Sequence, residues 1–234
     1  MLTESFWEKY FEVYDLLNIV IPYKNFLNII FSALDIQHGD MVLDAGSGTG
    51  NLSVLLSKVS KNIISLDYSD SAKKVHLKKE PLAEIKKADL TQKLPFPDEY
   101  FDKIACILTL HTIPRGSRMF LVNEFYRVLK KNGRIILANP SSEFKPGKIY
   151  LAHLKADFRL RGFVIIVKDS LKLIVPTVRM FYYNYLIHTH TKEKDGGMLE
   201  LNEQFDMLQA AGFREITATK LIYAETTACN VATK

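Results

Sequence analysis

The chain has 234 residues, of which 47% are hydrophobic and 24% charged, and this composition fits one folded domain and excludes global disorder. Its two cysteines, Cys106 and Cys229, have no second cysteine or histidine at metal-ligand spacing, so neither a disulfide framework nor a metal site is predicted. The net charge of +5 is uneven, because residues 141–194 hold ten Lys and Arg against four Asp and Glu.

The apolar segments are too short or too interrupted to predict a membrane span. The N-terminal sequence MLTESFWEKYFEVYDLL lacks the basic start and unbroken apolar core of a signal peptide. The stretches LLNIVIPYKNFLNIIF and FVIIVKDSLKLIVPTV contain Lys and Pro. We therefore expect a cytoplasmic protein in a reducing compartment.

Residues 1–36 are predicted to form a helical cover. Phe6, Tyr10 and Tyr14 recur every four residues after Thr3, a residue type that favours helix starts. A second helical pattern follows Pro22. The sequence HGD then predicts a turn before the next region begins.

Residues 37–140 alternate between short apolar segments and helical ones. The predicted strands are MVLDAG, NIISLD, AEIKKADL, FDKIACILTL and RIILANP, and the predicted helices are NLSVLLSKVS, SDSAKKVHLKKE and SRMFLVNEFYRVLKKNG. We expect Asp70 to cap the second helix and Asn132-Gly133 to end the third. This alternation predicts a parallel sheet with helices on both faces.

Residues 141–199 interrupt the alternation and are predicted to form a helical lid. In KIYLAHLKADFRLR the spacing predicts a helix. Its inward residues would be Ile149 or Leu151, with Leu154 and Phe158, and its outward residues Lys148, Lys155 and Arg159. Residues 200–234 then predict a helix and two strands that complete the core. The link between these strands is too short for a crossover, so they should pair antiparallel.

The sequence VLDAGSGTGN places three glycines directly after the first predicted strand. Glycines let the backbone turn sharply and approach a ligand at the strand end. A dinucleotide fingerprint would need glycine where Asn51 stands, and a phosphate-binding loop would need a lysine after Gly50. A nucleoside without phosphates remains, and Asp44 before the loop suits a ligand with an ammonium or sulfonium charge.

Acidic residues also end the next two predicted strands. A carboxylate at Asp67 can accept two hydrogen bonds from a ribose diol, and Asp89 could meet an adenine amino edge. Each has a simpler alternative, since Asp67 could cap the helix that begins near Ser69 and Asp89 could form an Asx turn. These alternatives stay open at the level of sequence.

In this order the motifs resemble the class I S-adenosylmethionine-dependent methyltransferases, in particular the ubiquinone/menaquinone C-methyltransferase-like branch (methyltransferase type 11). The matching segments are VLDAGSGTG, LDYS, ADLTQKLPFPDEYFDKI and EFYRVLKKNGRIIL, with Lys131-Asn132-Gly133 in place of Pro-Gly-Gly. The resemblance covers about residues 42–140. It implies a doubly wound, Rossmann-like α/β sheet of seven strands in the order 3-2-1-4-5-7-6, with the last strand antiparallel, and S-adenosylmethionine as cofactor.

The resemblance also implies roles for individual residues. The implied cofactor contacts are Tyr14, Asp44, Gly46, Ser47, Gly48, Gly50, Asn51, Asp67, Tyr68, Asp89, Leu90 and Thr109. Among them Asp44 would orient the methionyl ammonium and Asp67 the ribose hydroxyls, with Tyr68 beside the adenine. Tyr14 could instead be an ordinary core residue, as aromatic residues at helical spacing usually are.

The acceptor of the methyl group is less defined by the sequence. His111 follows the fourth strand, beside the expected methyl, and is either a catalytic base or a structural histidine. His153, Tyr182 and Tyr183 in the lid are candidate substrate contacts, whereas the sequence HTH at 188–190 lacks partners for a metal. The apolar, tyrosine-rich lid predicts a small hydrophobic or aromatic acceptor.

Other interpretations of the basic segment and of the whole chain remain. The basic side chains of 141–194 are a solvated face, a contact with a membrane surface or a site for nucleic acid, as in a tRNA or RNA methyltransferase. No RNA-binding module is recognisable, which favours a small molecule. The chain could also be a non-catalytic protein that binds the cofactor and acts through a partner, or an oxidoreductase with an atypical nucleotide loop. The sequence predicts no oligomeric state.

Overall fold

The computed structural model describes residues 3–161, 178–180, 182–187, 189 and 197–234. Within them, the strands are β1 (Val42–Ala45), β2 (Ile63–Asp67), β3 (Glu84–Lys87), β4 (Phe101–Ile107), β5 (Leu129–Pro140), β6 (Lys220–Ile222) and β7 (Thr227–Thr233). The helices are α1 (Glu4–Tyr14), α2 (Ile21–Leu34), α3 (Ser53–Leu56), α4 (Asp70–Lys79), α5 (Arg115–Val128), α6 (Pro146–Arg161) and α7 (Glu203–Ala210), with 3₁₀ turns at Asp15–Ile19 and Leu110–Thr112.

The strands described form one sheet in the order β3-β2-β1-β4-β5-β7-β6. The first five strands pair in parallel, whereas β7 runs antiparallel to both β5 and β6. The predicted fold class and the antiparallel hairpin are therefore confirmed. The hairpin belongs to the same sheet as residues 37–140, and the four proposed segment boundaries stay a prediction.

The sheet is buried on both faces. Consecutive strand residues point to opposite faces, so neighbours along a strand pack into different clusters. Leu43 and Ile104 belong to the same buried cluster as Phe125 of α5. Val42, the neighbour of Leu43, belongs instead to a cluster with Phe26 of α2. This double covering explains why the central strands read as apolar runs without polar alternation.

The N-terminal cover is defined as residues 4–34, and the lid as the described part of 141–199. Helix α1 of the cover packs between α4 and the lid. Phe11 and Val13 of α1 pack in one cluster with Ala72 of α4 and with Tyr183 and Ile187 of the lid. No single helix in the described residues is long and apolar enough to cross a bilayer. The segments Ser5–Ile19 and Ile21–Leu34 reach that length and apolarity only as a pair, and they are bent by 84° where they meet.

Two predicted helix ends were wrong. The cap of α4 is Ser69, whose Oγ accepts a hydrogen bond from the Ala72 amide at 3.2 Å, so Asp70 already lies in the first turn. Helix α5 ends at Val128, and the buried Leu129 enters the sheet at once. Asn132 has φ +61° and lies where the pairing of β4 with β5 shifts register. Its left-handed conformation belongs to a β-bulge in β5 and not to the end of the helix.

Helix α6 does not turn Phe158 inward as predicted. Phe158 is 59% exposed and Leu151 is also exposed, whereas His153 is buried. Lys155 and Arg159 are exposed, as expected. The periodicity groups residues on a helix face, but only packing decides which face meets the core. The predicted membrane contact of this basic and apolar face stays a prediction.

Candidate active site

A cavity of about 570 Å³ lies at the carboxyl ends of β1, β2 and β4. The strand ends and their loops form its floor, and the cover and the lid form its walls. Apolar and aromatic side chains dominate the lining. Among the described lining residues the charged groups are three carboxylates, Asp44, Asp67 and Asp89, and there is no Lys or Arg. A strand-end crevice of this size is the usual ligand site of a doubly wound sheet.

The three glycines of the loop after β1 serve different purposes. A Cβ added to Gly46 would overlap the side chain of Thr109, and one added to Gly50 would overlap the ring of His76. A Cβ at Gly48 would meet nothing within 4 Å, and Gly48 has φ +53°. Gly46 and Gly48 line the cavity, whereas Gly50 does not. Gly50 is therefore required by packing beneath the loop.

Asp44 is a buried carboxylate, 1% exposed, at the end of β1. Its Oδ2 accepts a hydrogen bond from Ser53 Oγ at 2.6 Å, while its Oδ1 has no hydrogen-bond partner among the described residues. The same holds for the buried Oγ of Ser47. Burial raises the pKa of Asp44 to about 6. Buried polar atoms are nearly always paired, so these two oxygens fit a polar ligand at the cavity floor.

Asp67 ties the glycine-rich loop to the end of β2. Its Oδ2 accepts a hydrogen bond from the Gly48 amide at 2.8 Å, and its Oδ1 accepts one from the Ser69 amide at 2.9 Å. The helix cap is the Ser69 hydroxyl, so Asp67 is not the capping side chain of α4. Each carboxylate oxygen has more than one lone pair and can accept a further ligand hydroxyl. Tyr68 is 48% exposed at the cavity edge.

Asp89 forms the Asx turn that the sequence left open. Its Oδ1 accepts hydrogen bonds from the Thr91 amide at 2.9 Å and from the Thr91 hydroxyl at 2.8 Å. Asp89 and the buried Leu90 both line the cavity. The turn fixes the backbone after β3 and is compatible with a ligand contact through the other carboxylate oxygen.

Four tyrosines, three from the cover and one that follows β6, form a row of ring contacts in the cavity wall. The ring centroids of Tyr10 and Tyr14 are 5.4 Å apart, those of Tyr14 and Tyr23 are 6.3 Å apart, and those of Tyr23 and Tyr223 are 5.9 Å apart. Tyr23 Oη accepts a hydrogen bond from Asn51 Nδ2 at 3.3 Å. Burial raises the pKa of Tyr14 well above its usual value, so the phenol stays neutral. Tyr14 is at once a core residue and part of the cavity wall.

Asn139 shapes the turn after β4. Its Oδ1 accepts hydrogen bonds from the amides of Thr109 and Leu110, at 2.8 and 2.9 Å. Thr109, which lines the cavity, is held in place by this pair. No local sequence signal identifies this function, because Asn139 lies on a different strand, 30 residues away from Thr109.

His111 lines the cavity just beyond this turn. Its Nδ1 is buried and has no hydrogen-bond partner in the part of the chain that the structure describes. Burial, followed by the positive charge of Arg118, lowers the pKa of His111 to about 4. Arg118 is itself paired with Glu203, at 2.6 Å. A neutral imidazole with an unused nitrogen is suited to accept a hydrogen bond from a ligand.

The lid residues predicted to contact the substrate separate in the structure. His153 lines the cavity. Tyr183 is buried against Phe6, with ring centroids 5.4 Å apart, and Tyr182 is 59% exposed; neither lines the cavity. His188 and His190 lie outside the described residues. The lid and cover residues that do line it and were missed by sequence reasoning include Trp7, Phe11, Phe144, Tyr150 and Asn184.

Comparison with known proteins points to one family. Residues 43–137 match the model described as a methyltransferase domain. Over 94% of its length the chain is 29% identical to a demethylmenaquinone methyltransferase of Lactobacillus johnsonii and covers 91% of that protein. These matches support a class I S-adenosylmethionine-dependent methyltransferase.

Two further relatives agree with this assignment. An uncharacterized methyltransferase of Anoxybacillus flavithermus is 25% identical over 79% of the chain and 80% of its own length. The structure of a SAM-dependent methyltransferase of Thermotoga maritima, described as a possible histamine N-methyltransferase, superposes with a TM-score of 0.64 at 18% identity, over 99% of this chain and all of that one. The latter shares the fold. S-adenosylmethionine is thus the cofactor of this methyltransferase, and the oxidoreductase interpretation is wrong.

Proposed function

We propose that this methyltransferase transfers a methyl group to a small, neutral, aromatic or otherwise apolar acceptor. The observation that carries this proposal is the apolar part of the cavity wall. It is built from aromatic and aliphatic side chains of the cover and the lid, without a Lys or Arg among its described lining residues. An anionic acceptor would lose its hydration there and gain no Lys or Arg partner from the described lining residues. An apolar ring, in contrast, is desolvated at little cost.

We assign the cofactor to the carboxylate side of the cavity. When bound, S-adenosylmethionine supplies an electrophilic methyl group. Asp44 Oδ1 and Ser47 Oγ, which are buried and without a partner among the described residues, would hold the charged methionyl end. Asp67 would hold the ribose diol, and Asp89 with Leu90 would contact the adenine. These assignments follow the family resemblance and rest on the chemistry of the donor set.

The relative from Lactobacillus johnsonii bears a name that makes demethylmenaquinone its acceptor. A quinone in its reduced, hydroxylated form is electron-rich and therefore a nucleophile, whereas the oxidised form is not. We infer that the first acceptor to test is such a hydroxylated aromatic ring. The lid and the cover would exclude water from it, which strengthens the interactions inside the cavity.

The experiment is a transfer assay with methyl-labelled cofactor and the full chain. The acceptors are reduced demethylmenaquinone, its oxidised form, simple phenols, aliphatic amines and bulk tRNA. We expect label in the reduced aromatic acceptor, with one S-adenosylhomocysteine formed for each methyl transferred. Label in tRNA alone would contradict the proposal. Cofactor binding without turnover on any acceptor would favour the non-catalytic alternative.

His111 is proposed to accept a hydrogen bond from the acceptor hydroxyl. Because its pKa is about 4, the imidazole is neutral at pH 7 and can accept a hydrogen bond from the hydroxyl as charge develops on the oxygen. We expect His111→Leu to lower kcat on a hydroxylated acceptor by about tenfold or more, the loss of one hydrogen bond to a group that develops charge, about 1.5 kcal/mol. Its affinity for S-adenosylhomocysteine, measured by calorimetry, should change less than about threefold. An unchanged kcat would assign His111 to packing alone.

A further inference from the structure

Lys79, the last residue of α4, joins the cover to the glycine-rich loop. Its ammonium group donates hydrogen bonds to Asp15 Oδ1 at 2.7 Å, to the Thr49 carbonyl oxygen at 2.8 Å and to Asn51 Oδ1 at 2.6 Å. Asp15 belongs to the cover, and Thr49 and Asn51 belong to the loop that follows β1. All three donors of the ammonium are therefore used between two segments that are far apart in sequence.

The acceptors of Lys79 also bind one another. Thr49 Oγ1 donates to Asp15 Oδ1 at 2.6 Å, and Asn18 Nδ2 of the cover donates to Asn51 Oδ1 at 2.8 Å. Asn51 Nδ2 in turn donates to Tyr23 Oη. Three side-chain hydrogen bonds thus join cover and loop, and two of them end on an oxygen that also accepts from Lys79. Removal of the ammonium would leave both oxygens with fewer donors.

The hydrogen bonds of the Lys79 side chain run in a different direction from those of most lysines at helix ends. A lysine in the last turn of a helix usually faces the carbonyl groups of its own helix. The hydrogen bonds of Lys79 instead lead away from α4, and its side chain is only 25% exposed. Burial lowers the pKa of Lys79, while the Asp15 carboxylate acts in the opposite direction. A partly buried, fully bonded ammonium is expected to matter more than an exposed surface pair.

Both ends of this network reach the cavity. Tyr14, which precedes Asp15, lines the wall on the cover side, and Gly48 and Asn51 line it on the loop side. We propose that Lys79 is a positioning residue that couples closure of the cover to the conformation of the glycine-rich loop, so that cofactor binding and cover closure occur together. This inference rests on the proposed placement of the cofactor against that loop.

The test compares Lys79→Met with Lys78→Met in the full chain. Methionine keeps an unbranched stem of similar length without the donors, and Lys78 is an exposed neighbour that gives the same change in charge. Calorimetry measures the affinity for S-adenosylhomocysteine. Hydrogen–deuterium exchange of residues 4–19, with and without that ligand, measures closure of the cover.

We expect Lys79→Met to weaken binding by about tenfold or more and to abolish most of the ligand-induced protection of residues 4–19, while Lys78→Met behaves like the wild type. A merely structural lysine would lower thermal stability but leave that protection intact, which would overturn the inference. If Lys79→Met does not fold, Asp15→Asn is measured in the same way; a smaller loss of both quantities supports the coupling, and no loss overturns it.

The outcome separates this inference from the proposed function. If the wild type binds S-adenosylhomocysteine and Lys79→Met binds it equally well with full protection of the cover, only the coupling is wrong. If the wild type does not bind S-adenosylhomocysteine at all, the proposed placement of the cofactor is wrong, and the coupling inferred from it is wrong as well.

Discussion

Replacement of Asp67 by alanine is expected to weaken binding of S-adenosylmethionine by about 100-fold or more, the effect of losing two hydrogen bonds to a charged group, each contributing roughly 1.5–3 kcal/mol. The carboxylate is assigned to the ribose diol. It also holds the Gly48 amide at 2.8 Å and the Ser69 amide at 2.9 Å. The substitution therefore removes a proposed ligand contact and a restraint on the loop at the same time.

Calorimetric titration of each variant with the cofactor measures this effect. Asp70→Ala is the matched control, because Asp70 lies three residues later and pairs only at the surface with Lys87, so we expect its affinity to stay within about threefold of the wild type. Circular dichroism should show a folded sheet in both variants. An Asp67→Ala protein that binds the cofactor as tightly as Asp70→Ala would refute the assignment of the ribose site.

Cofactor affinity is expected to fall as the pH drops below about 6, and Asp44→Asn should abolish this dependence. Burial raises the pKa of Asp44 to about 6, so at lower pH the group is protonated and offers no negative charge to the methionyl ammonium. Binding of a cation favours the ionised carboxylate and therefore releases a proton. The affinity should rise by up to tenfold per pH unit below 6 and level off above it, as expected for a single group.

At pH 7.5 we expect Asp44→Asn to bind about 10- to 100-fold more weakly than the wild type. The contribution of Asp44 to the folding stability of the ligand-free protein changes with pH in the opposite direction to the cofactor affinity. A carboxyl group with a raised pKa contributes stability below its unfolded value near pH 4, and this is lost as the pH rises through about 6. The variant should therefore be no less stable than the wild type at neutral pH. Affinity that is independent of pH in the wild type, or a pH slope retained by Asp44→Asn, would exclude this role.

Much of the fold is predictable because it is encoded locally. The apolar runs around Leu43 and Ile104, the amphipathic helices between them and the short link before β7 were enough for the layered parallel sheet and its antiparallel hairpin. The errors lie at boundaries. Asn132-Gly133 carries the chemistry of a helix end, yet pairing with β4 extends the chain from Leu129 onwards. A sheet contact outweighs a local turn preference there.

Part of the candidate site is also predictable from local sequence, and part is not. The carboxylates at 44, 67 and 89 can be placed together from sequence, because each follows a strand and parallel strands end at one edge. The lid contacts cannot. Tyr182 and Tyr183 are neighbours in sequence, but one is exposed and the other is buried against the cover.

The sequence by itself determined the strand-end carboxylates, since each follows from a short local motif, and the order of its motifs gave the resemblance that implies the class of the enzyme and its cofactor. Only the tertiary structure decided that Gly50 makes room for His76, that Asn139 holds Thr109, and that Lys79 joins the cover to the loop. These contacts unite residues up to 64 positions apart. Their pairing is set by how the layers pack, and no pattern along the chain records it.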